Sequence, residues 1–405
     1  MKILHVNVLY PPFVWGGAER SVQTLAEALA HRGHQVWVLS QTPEPHPQKD
    51  LINGVHVIRW PTQNLYFPYP SRRPPAPLRL LWHSKDTLNP QVARKTLRLL
   101  QELQPDLVHT HLLIGFSVSV WWAVHRRRIP LVHTLRDHYL LCARSSMYKH
   151  GRNCKTICAA CRPFVRPRRE MSALVDGVIG PSRFILRRHL NFGYFPHAQW
   201  AVIPHGVEIP PETEIPPSPP IPPLRFGYLG RLDPYKGIEL LLEVFHRWQE
   251  PSAELWIAGR SMPETYGLSL KDRYAHDRRI RWLGVVHPSE LFQQIHVLVV
   301  PTLIHETLAR VILEANAYGI PVIAAHRGGI PEEVREGETG FLFDPDRPET
   351  LEQWFRHIRK NPRILEPMRQ KARRWGEAFS IDRMIEAHLD FYRRIVYHKH
   401  QDGPL

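Results

Sequence analysis

Cysteine is scarce. The chain has four among 405 residues, all between positions 142 and 161. That count excludes a disulfide-stapled scaffold. Long apolar runs are missing too. The longest, Leu112 to Val124, falls short of the roughly 20 residues that a membrane-spanning helix needs. The opening MKILHVNVLYPP has an apolar run broken by Pro11 and Pro12. It predicts a first β-strand rather than a signal peptide, and with it a cytoplasmic protein, with the inner face of the membrane as a second address. Acidic residues are few in the first half. Residues 1–203 hold 27 Lys and Arg against 10 Asp and Glu, net +17, whereas the remainder holds 26 against 28. Such a surplus suits either plain solubility or attraction to an anionic membrane surface or a lipid-linked phosphate. No aromatic-rich or zinc-finger pattern accompanies it, so nucleic acid is not an expected partner.

What is present points to two domains. A chain of 405 residues is long for one core. Residues 204–223, PHGVEIPPETEIPPSPPIPP, contain 9 prolines in 20 positions. Such a segment suits neither a buried helix nor a central strand, and reads as a stiff extended linker. On either side short apolar runs alternate with amphipathic stretches. The first half has KILHVNVL, QVWVLS, GVHVIRW, DLVHTH, PLVHTL and DGVIGPS. The second has LRFGYLG, ELWIAG, IRWLG, VLVVPT and PVIAA. Between the first two runs Val22, Leu25, Ala26 and Leu29 recur at helical spacing, and Gly33 supplies a stop. This alternation predicts an α/β protein of two doubly wound, parallel-sheet domains, 1–203 and 224–380. Ile381, Met384, Ile385 and Leu389 predict a closing helix within 381–405 that packs back toward the first domain.

Candidate chemistry lies in two segments of the second half. The run LRFGYLG is followed by RLDPYKG, which gives Gly230, Arg231 and Lys236. Glycine at the carboxyl end of a parallel strand lets a ligand approach the backbone. Two cations beside it suit a diphosphate on which negative charge grows. In VVPTLIHETLARVILEANAYGIPVIAA, Glu306 and Glu314 stand eight residues apart. With a helix starting between them they are roughly 12 Å apart along its axis. That separation suits the hydroxyls at the two ends of a nucleotide sugar. The helix start offers its free amides to phosphate. Taken singly, each pattern fits ordinary solvated side chains.

Together these phrases resemble the retaining glycosyltransferases of family four, which have the GT-B fold of two Rossmann-like domains facing across a cleft. The resemblance rests on LGRLDPYKG, ETLARVILEANAYGIPVIA, GGIPEEVREGETGFLF, the early PPFVWGGAERSVQTLAEALAHRGH and the pre-linker VIPHGV. It implies that Arg231 and Lys236 bind the donor diphosphate, that Glu306 contacts the sugar and Glu314 the ribose, and that Leu308 and Ala309 supply backbone contacts. Leu308 and Ala309 stand where many relatives have Phe-Gly. The resemblance implies no metal or cofactor for catalysis beyond the nucleotide-sugar donor, and a glycan, lipid-linked or small-molecule acceptor. In the implied mechanism the acceptor attacks on the face from which the phosphate departs.

In the first half, Gly16 and Gly17 follow the first strand and precede a helix, a place for acceptor contacts through backbone amides. His109 and His111 lie on one face of DLVHTH, near its carboxyl end, where open parallel sheets hold ligands; His109, with Asp137, is a candidate acceptor contact. The resemblance places a histidine close to the transferred sugar at His111. In HTLRDHY, Asp137 matches the family's aspartate while Arg136 replaces its histidine. The cysteines Cys142, Cys154, Cys158 and Cys161 sit in a strongly basic stretch; Cys158 and Cys161 have C-x2-C spacing. Four thiolates so spaced suit a structural zinc in an insertion at 142–161; free thiols and disulfides are the alternatives. Two other functions fit parts of the pattern: a nucleotide-sugar epimerase or sugar phosphorylase on the same fold, and a non-enzymatic binder of anionic membrane or nucleic acid.

Overall fold

The apolar run Lys2–Val6 becomes strand β1, and Ile3 to Val6 are fully buried, as in a strand covered on both faces. The computed structural model describes residues 1–69, 74–215 and 217–401. It divides into two units, Met1–Gly206 with Ile381–Leu405, and Val207–Ser380. Pro216 of the proline-rich segment and the tail residues 402–405 lie outside the described residues.

The first unit continues with β2 (Gln35–Thr42), β3 (Gln48–Ile52), β4 (Val55–Pro61), β5 (Leu107–Thr110) and β6 (Leu131–Thr134). A small hairpin comes next, β7 (Tyr148–Lys149) and β8 (Arg152–Asn153), then β9 (Gly177–Gly180) and β10 (Gln199–Val202). The large sheet has the order β10-β9-β6-β5-β1-β2-β4-β3, parallel except for the β3–β4 pair. Neither β3 nor β10 stood out as an apolar run. Both are edge strands with exposed residues, so they carry no continuous hydrophobic pattern.

Helix Gly17–His31 follows β1 and buries Val22, Leu25, Ala26 and Leu29 completely. The closing helix runs Ile381–Gln401 and belongs to this unit. It buries Met384, Ile385 and Leu389, and its Asp382 and Glu386 accept hydrogen bonds from Arg32 at 2.7 and 2.6 Å.

The second unit holds β11 (Leu224–Leu229), β12 (Ala253–Ala258), β13 (Ile280–Gly284), β14 (Val297–Val300), β15 (Val322–Ala325) and β16 (Gly340–Phe343). The order is β13-β12-β11-β14-β15-β16, parallel throughout. This is the doubly wound order, and it reverses between β11 and β14. The first unit reverses likewise between β1 and β5.

The proline-rich segment differs from a free linker. The division falls after Gly206, and the chain from Val207 onward belongs to the second unit. Val207 is buried and donates to Phe379 O at 2.9 Å. The Pro219 carbonyl lies 2.9 Å from His296 Nε2, and the Pro210 carbonyl accepts from Arg373. Prolines lack an N–H but keep a carbonyl, so a proline-rich strap can still be pinned as an acceptor. Among the described residues no helix is long and apolar enough to cross a membrane.

Candidate active site

In an open α/β sheet the crevice for ligands lies beyond the carboxyl ends of the strands where the order reverses. In the second unit those strands are β11 and β14, and the sequence after each is held in place by backbone. After β11 come Gly230 and Arg231, whose carbonyl accepts from Tyr228 Oη at 2.6 Å. Asp233 then caps a short turn, Pro234–Lys236, through Tyr235 N. Gly237 ends the turn with φ 71°, and a Cβ there would stand 1.9 Å from the Pro301 carbonyl oxygen. The loop after β11 thus lies directly on the loop after β14. Leu303 N donates to Tyr235 O at 2.9 Å across the same junction.

This close approach brings Lys236 to Glu306. Lys236 Nζ donates to Glu306 Oε1 at 2.6 Å, and Thr302 Oγ1 donates to the same oxygen at 3.0 Å. Both bonds fall on Oε1, which leaves Oε2 to accept from a ligand hydroxyl. Arg231 is 40% exposed, with Asp233 at 3.7 Å. The backbone of Glu306 is gripped by Gly328 and Gly329: Gly329 N donates to Glu306 O at 2.8 Å, and a Cβ on Gly328 would come within 2.2 Å of that oxygen. Glu314 lies on helix Arg310–Ala317 and pairs with Arg310 at 2.7 Å.

In the first unit the reversal strands β1 and β5 end at Val6 and Thr110, and Asn7 and His111 follow them directly. Asn7 Oδ1 accepts from Leu112 N at 3.2 Å, so the two strand ends are tied together. His111 lies in a buried chain. Arg136 Nε donates to His111 Nδ1 at 3.2 Å, and His111 Nε2 is 3.0 Å from His5 Nδ1. Arg136 Nη1 is 3.1 Å from His205 Nδ1. Burial pushes His5 down to about 3 and His111 well below the usual histidine range, with the Arg136 charge adding to both. With neutral rings, one consistent assignment runs Arg136 to His111 to His5. Burial pushes Asp137 up to about 7.

The glycosyl transferases group 1 profile matches residues 212–375, and the Glycosyltransferase Family 4 profile matches residues 15–209. A 42.6 kDa protein of the cps region of Klebsiella pneumoniae is 30% identical over 336 residues, covering 83% of this chain and 88% of that one. This chain belongs to glycosyltransferase family four. Two solved structures share its fold across nearly the whole length. Sucrose-phosphate synthase from Thermosynechococcus elongatus aligns with a TM-score of 0.77 at 20% identity, covering 98% and 99% of the two chains. The Anabaena protein HepE, in complex with UDP-glucose, aligns at 0.70 and 18%, covering 97% and 100%. The fold is GT-B, and the protein is a glycosyltransferase.

Several site expectations for this glycosyltransferase need correction. His109 is fully buried, and its two ring nitrogens are 2.6 Å from Tyr392 Oη and 2.7 Å from Thr134 Oγ1. It is a satisfied core histidine, not an acceptor contact. His5, His109 and His111 do place ligand-type nitrogens within 4.8 Å of one another. Their existing bonds and the adjacent guanidinium explain that cluster without a metal. His111 is 2% exposed, and its two ring nitrogens are engaged by Arg136 and His5. The Gly16 amide donates to Glu19 Oε2 at 2.8 Å, closing the start of the helix that Gly17 begins, so this N–H is not turned to a ligand. Ala309 N donates to Glu333 Oε1 at 2.7 Å, and Leu308 is buried among Val207, Leu313 and Phe379; that amide too is spent inside the protein. Sequence reading missed Glu333, and also the buried pair Asp86–Arg168. Glu333 follows the GGIPE phrase directly, and its charge type alone suggested solvent.

Proposed function

We propose that this glycosyltransferase moves a hexose-type sugar from a nucleoside diphosphate sugar to an acceptor hydroxyl, with retention of configuration at the transferred carbon. The observation that carries the reading is the Lys236–Glu306 pair at the reversal between β11 and β14. The UDP-glucose held by the similarly folded Anabaena protein supports a donor of this class.

In this reading Lys236 and Arg231 turn to the diphosphate, and Glu306, released from Lys236, accepts hydrogen bonds from the sugar. Glu314 takes the ribose in place of Arg310. The bond from the anomeric carbon to the phosphate oxygen breaks while the acceptor oxygen bonds on the same face. The departing phosphate takes the acceptor proton. No metal or cofactor takes part, because side chains supply the positive charge.

The acceptor side falls to the ends of β1 and β5, where the Arg136 guanidinium meets His111 and His205, with Asp137 next to Arg136 in the chain. A lipid-linked or anionic acceptor is supported by an exposed face elsewhere on the first unit. Helix Ala76–Thr87 leaves Leu78, Leu80 and Leu81 exposed beside helix Arg162–Met171, with its exposed Arg162, Arg166 and Arg169. Leucines flanked by arginines suit the surface of an anionic bilayer.

Titration calorimetry against UDP, GDP, ADP and their sugars tests the donor. One nucleotide series should bind, and Lys236→Ala should weaken it. Absence of binding to every diphosphate would end the reading. NMR of the anomeric centre in the product tests retention separately. An inverted product would remove it while leaving the donor site standing. Flotation with anionic against neutral vesicles tests the membrane face.

A further inference from the structure

The four cysteines fall within 20 residues of a 405-residue chain. The structure gives that segment little of its own to hold it. The strands β7 and β8 are two residues each, Cys154 follows β8 directly, and Cys161 stands at the start of helix Arg162–Met171. Cys142, Met147 and Cys161 are buried in the core of the first unit, but the stretch between them has little regular structure to fix its shape, and short irregular segments of this kind gain from a staple.

The cysteines face the same place. All four border one cavity of about 250 Å³. Cys142 Sγ and Cys161 Sγ are 4.0 Å apart. Four thiolates at about 2.3 Å around a tetrahedral zinc stand about 3.8 Å from one another, so this pair already has the required spacing. Cys161 N donates to Cys158 O at 2.9 Å, a tight C-x2-C turn. Cys154 is fixed through its backbone: its N–H donates to Met147 O at 2.6 Å, and its carbonyl accepts from Arg188 at 2.5 Å. The backbone N–H of Arg144 points at Cys142 Sγ at 3.4 Å, a contact that favours a thiolate. Arg79, Arg144 and Lys149 line the same cavity. A zinc ion with four thiolates carries a net charge of −2, and these cations offset it. The sulfurs do not yet form a set of three within 4.8 Å of one another, so the ion would draw Cys154 and Cys158 inward.

We propose that Cys142, Cys154, Cys158 and Cys161 bind one zinc ion that holds the segment from β7 to helix Arg162–Met171 in shape. The site is structural: with four protein ligands it has no open position for substrate or water. It is independent of the donor chemistry.

The full chain, purified under reducing conditions without chelator, should contain about one zinc per molecule. A mercurial reagent should release that zinc as the four thiols react. A Cys158→Ser, Cys161→Ser variant should lose nearly all of the metal. Cobalt in place of zinc should give the intense visible bands of a tetrahedral thiolate centre. Because the variant could simply misfold, hydrogen exchange of the wild-type chain with and without chelator provides a second readout. Amide protection should fall in the cysteine segment and persist in β11 to β15. Metal-free protein with four freely reacting thiols would overturn the proposal. So would a chain lighter by two hydrogens per disulfide, or exchange in the segment that ignores the chelator.

Discussion

The backbone amide of Ala309 donates to Glu333 Oε1 at 2.7 Å, joining the loop after β14 to the turn beyond β15. Glu333 is 1% exposed, and its other oxygen has no hydrogen-bond partner. Burial pushes its carboxyl well above the usual range, with Glu306 and Glu332 adding to the effect. A raised carboxyl pKa in the folded state stabilises the fold at low pH, and that contribution fades as pH rises from the unfolded value through the raised one. Glu333→Gln mimics the neutral acid. Thermal melts from acid to alkaline pH should show the wild-type chain losing stability on the alkaline side and the variant losing less. Parallel curves would show that Glu333 does not carry the proton.

Lys236→Ala and Glu306→Gln should each lower kcat/KM for the donor by about 10²- to 10³-fold, the usual result of removing one preorganised charge at a reacting phosphate. Their effect on folding should be small. The pair is partly exposed, at 31% and 15%, and pairs of that kind contribute about 0–1 kcal/mol. Steady-state kinetics beside melting curves separates the two. A large melting shift with unchanged kinetics would make the pair structural.

Gly237→Ala should destabilise the second unit by about 2–4 kcal/mol, from left-handed strain together with the clash against Pro301 O. Gly33 is the control. It has φ 80° with open space around its would-be Cβ, so Gly33→Ala should cost only about 1–2 kcal/mol. Urea denaturation of both variants checks the order, and equal costs would refute the steric argument.

Asp137 is pushed up to about 7 by burial, against a weaker opposing bond from Tyr139 N. Its contribution to stability is complete below the unfolded aspartate pKa and is lost as pH climbs toward 7. Asp137→Asn should flatten that decline between about pH 4 and 7. It should also remove one ionisation near neutrality from the pH profile of kcat/KM. An unchanged profile would place Asp137 outside the reaction.

Arg168 and Asp86 form an ion pair at 3.2 Å with both side chains fully buried, and Arg168 also stacks on the Tyr139 ring at 3.8 Å. Breaking it should be costly because one charge is stranded. Arg168→Met should destabilise by about 3–5 kcal/mol, and adding Asp86→Leu should recover much of the loss. Chemical denaturation of the single and double variants measures this. A double variant worse than the single would contradict it.

Much of the fold was legible because its strands are buried on both faces. β1, β2, β5, β6, β9, β11, β12, β14 and β15 read as apolar runs for that reason, and the helix after β1 read from its inner stripe. The edge strands β3 and β10 were illegible because half their surface is wet. Of the donor site, the residues were legible and their present partners were not. Lys236 and Glu306 are 70 positions apart, and only the junction of Gly237 with Pro301 brings them to 2.6 Å.

The sequence by itself determined the α/β alternation and the charged phrases of a family-four glycosyltransferase, since periodicity and local motifs are properties of neighbouring residues. Only the tertiary structure decided which polar groups are spent inside the protein: His109 on Tyr392 and Thr134, Gly16 on Glu19, Ala309 on Glu333. Hydrogen-bond partners are chosen by proximity in space, and a buried group is satisfied by whatever the fold sets beside it, however distant along the chain.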